Sequence, residues 1–522
     1  MRVLLVEPQY RRGAKQRTPK KRVEDESLWY PPLGLLKLAR YHKERGDEVL
    51  FASGLNHGPR VAGDLFGPPV ERVYITTLFT FHFDTIVKTI NYYRDLLGGT
   101  GSRIFVGGIM ASLMPEDLFE ATGIFPHEGL LTSSRALGLA GEDVNIDSLA
   151  PDYTVLDGSL YAVNETFYAY ATRGCPNSCP WCGVKDIEPE YAPYLDIKPM
   201  VTRMRSEYGD LPILKLMDNN VLASDRFTHI VEDLLSLGYG RGQYTGQEVP
   251  RLRVIDFNQG VDARHMTPEN TALLAKLSVR PLRVAFDNVN ERESYVKAVR
   301  LAASHGFANI SNYMLFNFKD APRDLYERLM VNIALNEEFA SEFPNSSRPT
   351  IYSYPMRFAP IHDNLGGSTG ANRRRDHVQG DADEGRNWLE NPVWTRRFIR
   401  NVEIMKGAAH GAISSTPSLA RRTIGETFEE FLANLYMPEK LLRYRNRYER
   451  KVYDFEPERA PGTGDIEEFR RFILGLLSEQ SERFFLFHRA VSRNLVSVSR
   501  KAVEACEEPE SKKWLKIYTE TN

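Results

Sequence analysis

Apolar and amphipathic segments alternate along the first 150 residues of the chain. Short runs rich in β-branched and aromatic residues predict strands. These runs are residues 2–7, 48–52, 72–79 and 103–108. Residues 31–46 and 83–97 repeat apolar side chains at helical spacing, and a short helix is expected to begin near Pro115. Because strands separated by helices favour parallel βαβ units, we expect a Rossmann-like doubly wound sheet over residues 1–150.

A second series of apolar runs follows, and it again predicts strands. These runs are residues 167–173, 213–218, 253–259, 282–287, 309–315 and 350–356. Helical patterns lie between most of them, as in residues 225–238, 267–277 and 291–306. The repeating strand and helix predict a partial (β/α)6 TIM-type barrel over residues 151–361, with its active site at the carboxyl ends of the strands.

The pattern changes again in residues 362–522. Residues 362–386 are rich in glycine and charge, which predicts a linker or loop. The remainder, including residues 426–455 and 465–498, has helical periodicity and few strand signals. We therefore expect an α/β protein whose third region is a linker followed by an α-helical C-terminal domain.

Composition and charge narrow the class of protein. The 522 residues are 42% hydrophobic and 26% charged, with a formal net charge of −2, which gives no global attraction to nucleic acid or anionic membranes. No apolar run approaches the length of a membrane span. The first ten residues predict a strand rather than a signal peptide. We expect a cytoplasmic protein with no membrane partner.

Sulfur is concentrated in one place. Three of the four cysteines, Cys175, Cys179 and Cys182, lie in the segment ATRGCPNSCPWCG, whereas Cys506 stands alone. This distribution makes a disulfide framework implausible. Cys-x3-Cys-x2-Cys supplies three thiolates from one loop, a ligand set suited to iron–sulfur clusters. Three ligands for a four-iron cube leave one iron open to a substrate or cofactor.

Other interpretations of the cysteines stay open. A structural zinc site would need a fourth ligand, either distant Cys506 or a histidine. A redox disulfide between Cys179 and Cys182 would leave Cys175 unexplained. Chance clustering of inert thiols is a third possibility. Trp181, next to Cys182, is a candidate for shielding a cluster or packing on a flat ligand.

The cysteine segment resembles the signature of the radical S-adenosylmethionine (radical SAM) superfamily, Cys-x3-Cys-x-aromatic-Cys, which is matched at Cys175, Cys179, Trp181 and Cys182. The resemblance implies a [4Fe–4S] cluster whose open iron binds the amino and carboxylate groups of SAM. Reductive cleavage then gives methionine and a 5′-deoxyadenosyl radical, which abstracts hydrogen from a substrate. It also implies an external one-electron reductant such as flavodoxin or ferredoxin.

The N-terminal region resembles the radical SAM subfamily that carries a cobalamin-binding-type domain, so that the resemblance covers about residues 1–360. In place of the Asp-x-His-x-x-Gly motif, residues 7–13 read EPQYRRG and contain no cobalt-ligating histidine. Thr77 lies near the place of a Ser-x-Leu pattern, and Gly107 and Gly108 match a later glycine pair. Cobalamin binding and a cofactor-free accessory domain are both open.

The resemblance also implies SAM contacts at the strand ends. Asp218, Asn219 and Asn220 replace the usual Gly-Gly-Glu, and they could accept hydrogen bonds from the SAM ammonium group or simply form a turn. The other candidates follow later strands. They are Gln259, which could face the site; Arg264, for the SAM carboxylate or a surface salt bridge; Asp287, for the ribose; and Asn317, where the family usually has glycine near the adenine.

These features predict a radical SAM enzyme acting on a small molecule or a modified nucleotide. With cobalamin, methyl transfer or rearrangement is expected, and without it, modification of RNA or a metabolite. An iron–sulfur electron-transfer protein that does not cleave SAM is one alternative. An RNA-binding modification factor is another, because residues 421–451 interleave arginine with aromatic residues, although the many glutamates there favour a solvated amphipathic helix pair.

Overall fold

A computed structural model describes residues 1–9, 29–55, 69–99, 101–158, 160–358, 386–451 and 463–520. They form two compact units. The described residues of unit 1 lie in Met1–Gln259 and Leu273–Arg280, and those of unit 2 lie in Gly260–Ala272, Pro281–Pro360 and Asp376–Asn522. The fold is mixed α/β with parallel sheets, which confirms the predicted class at that level. The three predicted domain boundaries and the partial barrel stay predictions.

The strands in chain order are β1 (Arg2–Glu7), β2 (Glu48–Ser53), β3 (Arg72–Thr77), β4 (Ile104–Gly108), β5 (Thr166–Ala169), β6 (Ile213–Leu216), β7 (Val254–Phe257), β8 (Leu282–Ala285), β9 (Asn309–Phe316) and β10 (Thr350–Arg357). The helices are α1 (Leu33–Glu44), α2 (Phe83–Leu96), α3 (Ile109–Leu113), α4 (Pro115–Thr122), α5 (Val184–Ile187), α6 (Lys198–Tyr208), α7 (Phe227–Ser236), α8 (Pro268–Leu274), α9 (Arg292–Ser304), α10 (Pro322–Glu342), α11 (Arg396–Lys406), α12 (Pro417–Ile424), α13 (Phe428–Tyr436), α14 (Glu439–Lys451), α15 (Thr463–Glu479), α16 (Glu482–Ser492), α17 (Val496–Ala505) and α18 (Pro509–Thr519).

The N-terminal sheet has parallel strands in the order β2-β1-β3-β4. Successive side chains of a strand point to opposite faces, so β1 contributes to two cores. Leu4 lies in one core with Ile90 of α2, and Leu5 lies in the other with Leu35 of α1. Helices therefore cover both faces, as the doubly wound prediction requires. The prediction of a strand over 72–79 was too long, because pairing with β4 ends at Thr77.

The six strands of the second predicted series are all present, in two parallel three-stranded sheets. Unit 1 contains β5-β6-β7 and unit 2 contains β8-β9-β10. Several strands are shorter than predicted. For example, β5 ends at Ala169 rather than at residue 173, because the backbone N–H groups of Ala171 and Thr172 donate to a side chain, Asp218, instead of to a neighbouring strand.

Unit 2 joins its sheet to helices through a buried polar group. The Asn332 side chain of α10 donates to Asn312 Oδ1 of β9 (3.1 Å) and to Ser353 Oγ of β10 (2.8 Å). Its Oδ1 accepts from the Tyr295 hydroxyl of α9 at 2.8 Å. Both hydrogen-bonding atoms of this 1% exposed amide are satisfied, and one side chain connects two helices and two strands.

Beyond β10 the described residues of unit 2 are mainly helical, from α11 to α18. This confirms the helical character predicted for residues 465–498 and for residues 426–451 of the predicted stretch 426–455, whose last four residues lie outside the described part of the chain. A proline, Pro438, separates α13 from α14. The predicted linker, residues 362–386, lies almost entirely outside the described residues. In the parts of the chain that the structure describes, no helix is long and apolar enough to cross a membrane.

We expect Asn332→Leu to lower the free energy of unfolding of unit 2 by about 3 kcal/mol, because it leaves buried hydrogen-bonding groups on Tyr295, Asn312 and Ser353 without partners. Urea unfolding followed by circular dichroism measures the change. The exposed Asn290→Leu is the matched control and should change stability little. Equal effects of the two substitutions would contradict the assigned role of Asn332.

Candidate metal centre at the cysteine loop

The three clustered cysteines lie on one loop between β5 and α5, as the sequence predicted for thiols following the first strand of the second series. Cys175 and Cys179 are half-buried and Cys182 is exposed; none of the three is in a disulfide. The Cys182 backbone N–H donates to the Cys179 carbonyl at 3.0 Å, which turns the chain between these two thiols. Trp181 is half-buried on the same turn.

The start of the loop requires glycine. Gly174 has a φ of +68°, and a Cβ at this position would lie 2.3 Å from the Glu190 carbonyl oxygen. Arg173 and Ala192 exchange backbone hydrogen bonds at 3.0 and 2.9 Å, which bring the two sides of the loop together. The backbone immediately before Cys175 is therefore tightly held.

Glu188 is the main residue of the site that the sequence interpretation missed. Its carboxylate accepts from the Gly174 backbone N–H (2.6 Å), from Arg173 Nη1 (2.7 Å) and from Asn219 Nδ2 (3.0 Å). Glu188 thus ties the entrance of the cysteine loop to the turn that follows β6. No motif marks it, because it is one acid in the stretch KDIEPE and its three partners lie far away or are backbone groups.

Arg173 continues this contact into a buried network of charges. Its guanidinium pairs with Glu188 on one side and with Asp147 on the other, at 2.7 and 3.1 Å, and lies 3.4 Å from the centroid of the Tyr170 ring. Lys37 Nζ of α1 donates to Asp147 Oδ1 at 2.8 Å. Two cations and two carboxylates therefore balance one another beneath the loop.

Burial and pairing act in opposite directions on the pKa values of this network. Burial lowers the pKa of Lys37, although Asp147 opposes the shift. Burial alone would raise the pKa of Asp147, but the charges of Lys37 and Arg173 hold that pKa below its ordinary value. Asp147 is therefore ionised at neutral pH and keeps Arg173 in place.

Asp218 supports the loop rather than presenting free oxygens. It is 2% exposed, and it accepts from the Ala171 backbone N–H at 3.0 Å and from the backbone and hydroxyl of Thr172, the latter at 2.7 Å. Burial raises its pKa to about 6 despite these hydrogen bonds. Asp218 therefore binds the β5 segment rather than capping its own turn, and its contact to the SAM ammonium group stays a prediction.

The two neighbours of Asp218 differ from one another. Asn219 is engaged with Glu188, as described above. Asn220 is 4% exposed, and its Oδ1 has no hydrogen-bond partner among the described residues. Asn219 uses Nδ2 in this contact, and Asn220 offers a buried acceptor that has no partner among the described residues. Gln259, also in unit 1, lies in an exposed turn after β7.

The remaining SAM candidates lie in unit 2. Arg264 forms a bidentate pair with Asp262 at 2.7 and 2.9 Å and is half exposed, which matches the surface salt-bridge alternative. Asp287 accepts from the Leu315 backbone N–H at 2.8 Å, and burial raises its pKa. Asn317 is fully buried with a φ of +67°, and neither polar atom of its amide has a partner among the described residues.

The candidate cobalamin contacts meet at the carboxyl ends of β3 and β4. The Thr77 hydroxyl donates to the Gly107 carbonyl at 3.1 Å and accepts from the Ala111 N–H at 2.8 Å. Gly108 has a φ of +113°, and a Cβ there would lie 2.4 Å from the Thr77 carbonyl oxygen. Thr77 and Gly108 are thus used by the packing of the sheet, and cobalamin binding stays a prediction. Of the EPQYRRG segment, residues 10–13 lie outside the described part of the chain.

The cysteines supply a donor set that fits a four-iron cluster. Within the described residues, no group of three or more His, Cys, Asp or Glu side chains is arranged to hold a single metal ion. One tetrahedral ion needs sulfurs roughly 4 Å apart, as follows from metal–sulfur bonds of about 2.3 Å. A four-iron cluster binds each thiolate at a different iron, so its three sulfurs lie farther apart than the sulfurs around one ion. The absence of a single-ion site among the described residues therefore does not test the cluster. The three thiols suit such a cluster, because Cys182 is exposed and the backbone before Cys175 is tightly held.

Comparison with known proteins adds no family to this description. No model of a known protein family matches the chain, and no curated protein matches it.

We expect Gly174→Ala to be much more disruptive than Gly123→Ala. Both glycines have positive φ values, +68° and +69°, so alanine costs about 1–2 kcal/mol of backbone strain at either. Only at Gly174 does the new methyl group meet a backbone oxygen, whereas nothing lies within 4 Å of it at Gly123. Thermal unfolding and limited proteolysis across residues 171–192 measure the difference. Equal behaviour of the two variants would contradict the clamp at Gly174.

The raised pKa of Asp218 predicts a pH dependence. A raised pKa in the folded state favours the protonated carboxyl, so its stabilisation is complete below about pH 4 and is lost as the pH rises through about 6. Relative to Asp218→Asn, we expect the wild-type free energy of unfolding to fall by about 3 kcal/mol between pH 4 and 7. Urea unfolding across this range gives the difference. The exposed Asp225→Asn should instead parallel the wild type, and a parallel Asp218→Asn curve would overturn the assignment.

Proposed function

We propose that the chain is a radical SAM enzyme in which Cys175, Cys179 and Cys182 hold a [4Fe–4S] cluster with one iron open to SAM. The observation that carries the proposal is the spacing Cys-x3-Cys-x-aromatic-Cys on one loop after the first strand of a second parallel series. The buried contacts of Arg173 and Glu188 support it, because they hold the base of the loop and leave the thiols half-buried or exposed.

When bound, the cluster supplies the electron that splits SAM into methionine and a 5′-deoxyadenosyl radical, which takes a hydrogen atom from the substrate. The residues of the chain bind and orient SAM. Asn220 Oδ1 is suited to accept from the SAM ammonium group. A buried polar group without a partner costs about 1–3 kcal/mol, which a bound ligand would offset at Asn220.

The substrate in this proposal is a small molecule or a modified nucleotide, and the electron comes from an external reductant such as flavodoxin or ferredoxin. No step of this proposal depends on cobalamin.

A second candidate function is electron transfer through the same cluster without cleavage of SAM. The exposure of Cys182 favours it, because an edge of the cluster near solvent is accessible to a redox partner. Formation of 5′-deoxyadenosine separates the two functions, since electron transfer alone does not produce it.

We expect the full chain, reconstituted anaerobically with iron and sulfide, to convert SAM to 5′-deoxyadenosine when a strong reductant is added. Cys179→Ala should lose this activity and most of the bound iron, because a ligand is missing. Cys506→Ala is the matched control; this cysteine lies after α17 and should be dispensable. Liquid chromatography quantifies the nucleoside, and a colorimetric assay quantifies the iron.

Two results would contradict the proposal. One is a wild type that binds iron and sulfide but yields no 5′-deoxyadenosine, which would leave electron transfer. The other is a Cys179→Ala variant with the iron content and activity of Cys506→Ala.

A further inference from the structure

A row of polar side chains crosses the β5-β6-β7 sheet of unit 1. The strand register aligns Tyr168 of β5 with Lys215 of β6, and Lys215 with Asp256 of β7, so the three side chains share one face of the sheet. Lys215 Nζ and Asp256 Oδ2 are 3.3 Å apart, with side-chain exposures of 18% and 9%. A lysine in the central strand of a sheet is rarely so enclosed.

Stability gives little reason for this ion pair. Taking two charges out of water offsets most of their attraction, and apolar residues of similar size would hold the sheet at least as well. The flanking residues of β6, Leu214 and Leu216, are fully buried and supply its core contacts on the opposite face. The pair is therefore better explained by recognition than by folding.

Tyr30 covers the row from the N-terminal region. Its hydroxyl accepts from Lys215 Nζ at 3.0 Å and donates to Asn258 Oδ1 at 2.8 Å. The ammonium group lies 4.6 Å from the centroid of the Tyr30 ring, and the centroids of the Tyr30 and Tyr168 rings are 6.1 Å apart. Tyr30 is nevertheless 42% exposed, so one surface of an aromatic ring beside a cation is open.

The hydrogen-bonding groups of Lys215 and Asn258 that have no partner among the described residues are donors. An ammonium group has three N–H donors, and Lys215 makes one hydrogen bond and one ion pair with the described residues. The Asn258 side chain accepts through Oδ1, and its Nδ2 donates to no described residue. A cation and an amide donor beside an exposed ring match a flat ligand that carries an oxyanion.

We propose that Tyr30, Lys215 and Asn258 form a binding site for a ring-containing small molecule with a carboxylate or phosphate group. The oxyanion accepts from Lys215 and Asn258, and the ring packs on Tyr30. Asp256 holds Lys215 in place and lowers the net charge of the site, so simple anionic probes bind weakly. This inference deepens the proposed function, because Lys215 lies on the strand that leads to Asp218, and the ligand would be the substrate of the same enzyme.

Saturation-transfer NMR on the full chain, purified anaerobically, tests the site with benzoate and phenyl phosphate as probes and neutral benzamide as comparator. We expect both anions, or one of them, to bind at least about tenfold more tightly than benzamide. The stronger anion identifies the class of oxyanion. Lys215→Gln should lose about tenfold in anion affinity, and Lys215→Arg should retain most of it.

Two further variants keep the test interpretable. Lys215→Gln combined with Asp256→Asn leaves no unpaired carboxylate, so we expect this double variant to fold even if Lys215→Gln alone does not. The double variant should show the same tenfold loss of anion affinity. Lys88→Gln removes an exposed lysine from α2 and should bind like the wild type. Equal binding of benzamide, or anion affinity unchanged in Lys215→Gln and in its combination with Asp256→Asn, would overturn the inference.

The binding assay requires neither SAM cleavage nor a reduced cluster, so the two proposals fail separately. Lys215-dependent anion binding by a chain that yields no 5′-deoxyadenosine would contradict only the proposed function. Production of 5′-deoxyadenosine without Lys215-dependent anion binding would contradict only the inference about this binding site.

Discussion

The pairing of Arg173 with Asp147 and Glu188 is the interaction on which the candidate site depends. One guanidinium connects an acid that precedes β5 by nearly twenty residues with an acid that follows the cysteines. Lys37 joins α1 to the same network through Asp147. The four charges balance, and removing one partner would leave an uncompensated buried charge at a cost of about 3–5 kcal/mol. The position of the cysteine loop is therefore coupled to the packing of the N-terminal sheet.

This arrangement separates rigidity from reactivity within a short stretch of chain. The backbone up to Gly174 is held by Asp218, Glu188 and the close approach of Glu190. The thiols begin immediately afterwards and are half-buried or exposed. A fixed base with accessible sulfurs lowers the ordering cost of binding a cluster, which is the usual advantage of a preorganised site.

The sequence was sufficient for features that depend on local pattern. Apolar runs located the strands, and the spacing of Cys175, Cys179 and Cys182 located the loop. Contacts between residues distant in the chain could not be predicted from the sequence. Lys37 and Asp147 are 110 residues apart, and Asn219 and Glu188 are 31 apart. Asp218 was recognised as important, but its use by backbone N–H groups of the β5 segment became visible only in three dimensions. The Lys215–Asp256 row was missed for the same reason, since register, not sequence, aligns it.

The most direct measurement of the central claim is electron paramagnetic resonance of the reconstituted, reduced chain, recorded with and without SAM. A cluster held by three cysteines has one iron whose ligand set changes when SAM binds. The expected result is a [4Fe–4S] signal that shifts on addition of saturating SAM and is absent from Cys179→Ala. A signal that SAM leaves unchanged, in a wild type with a full complement of iron and sulfide, would contradict an open iron at this loop.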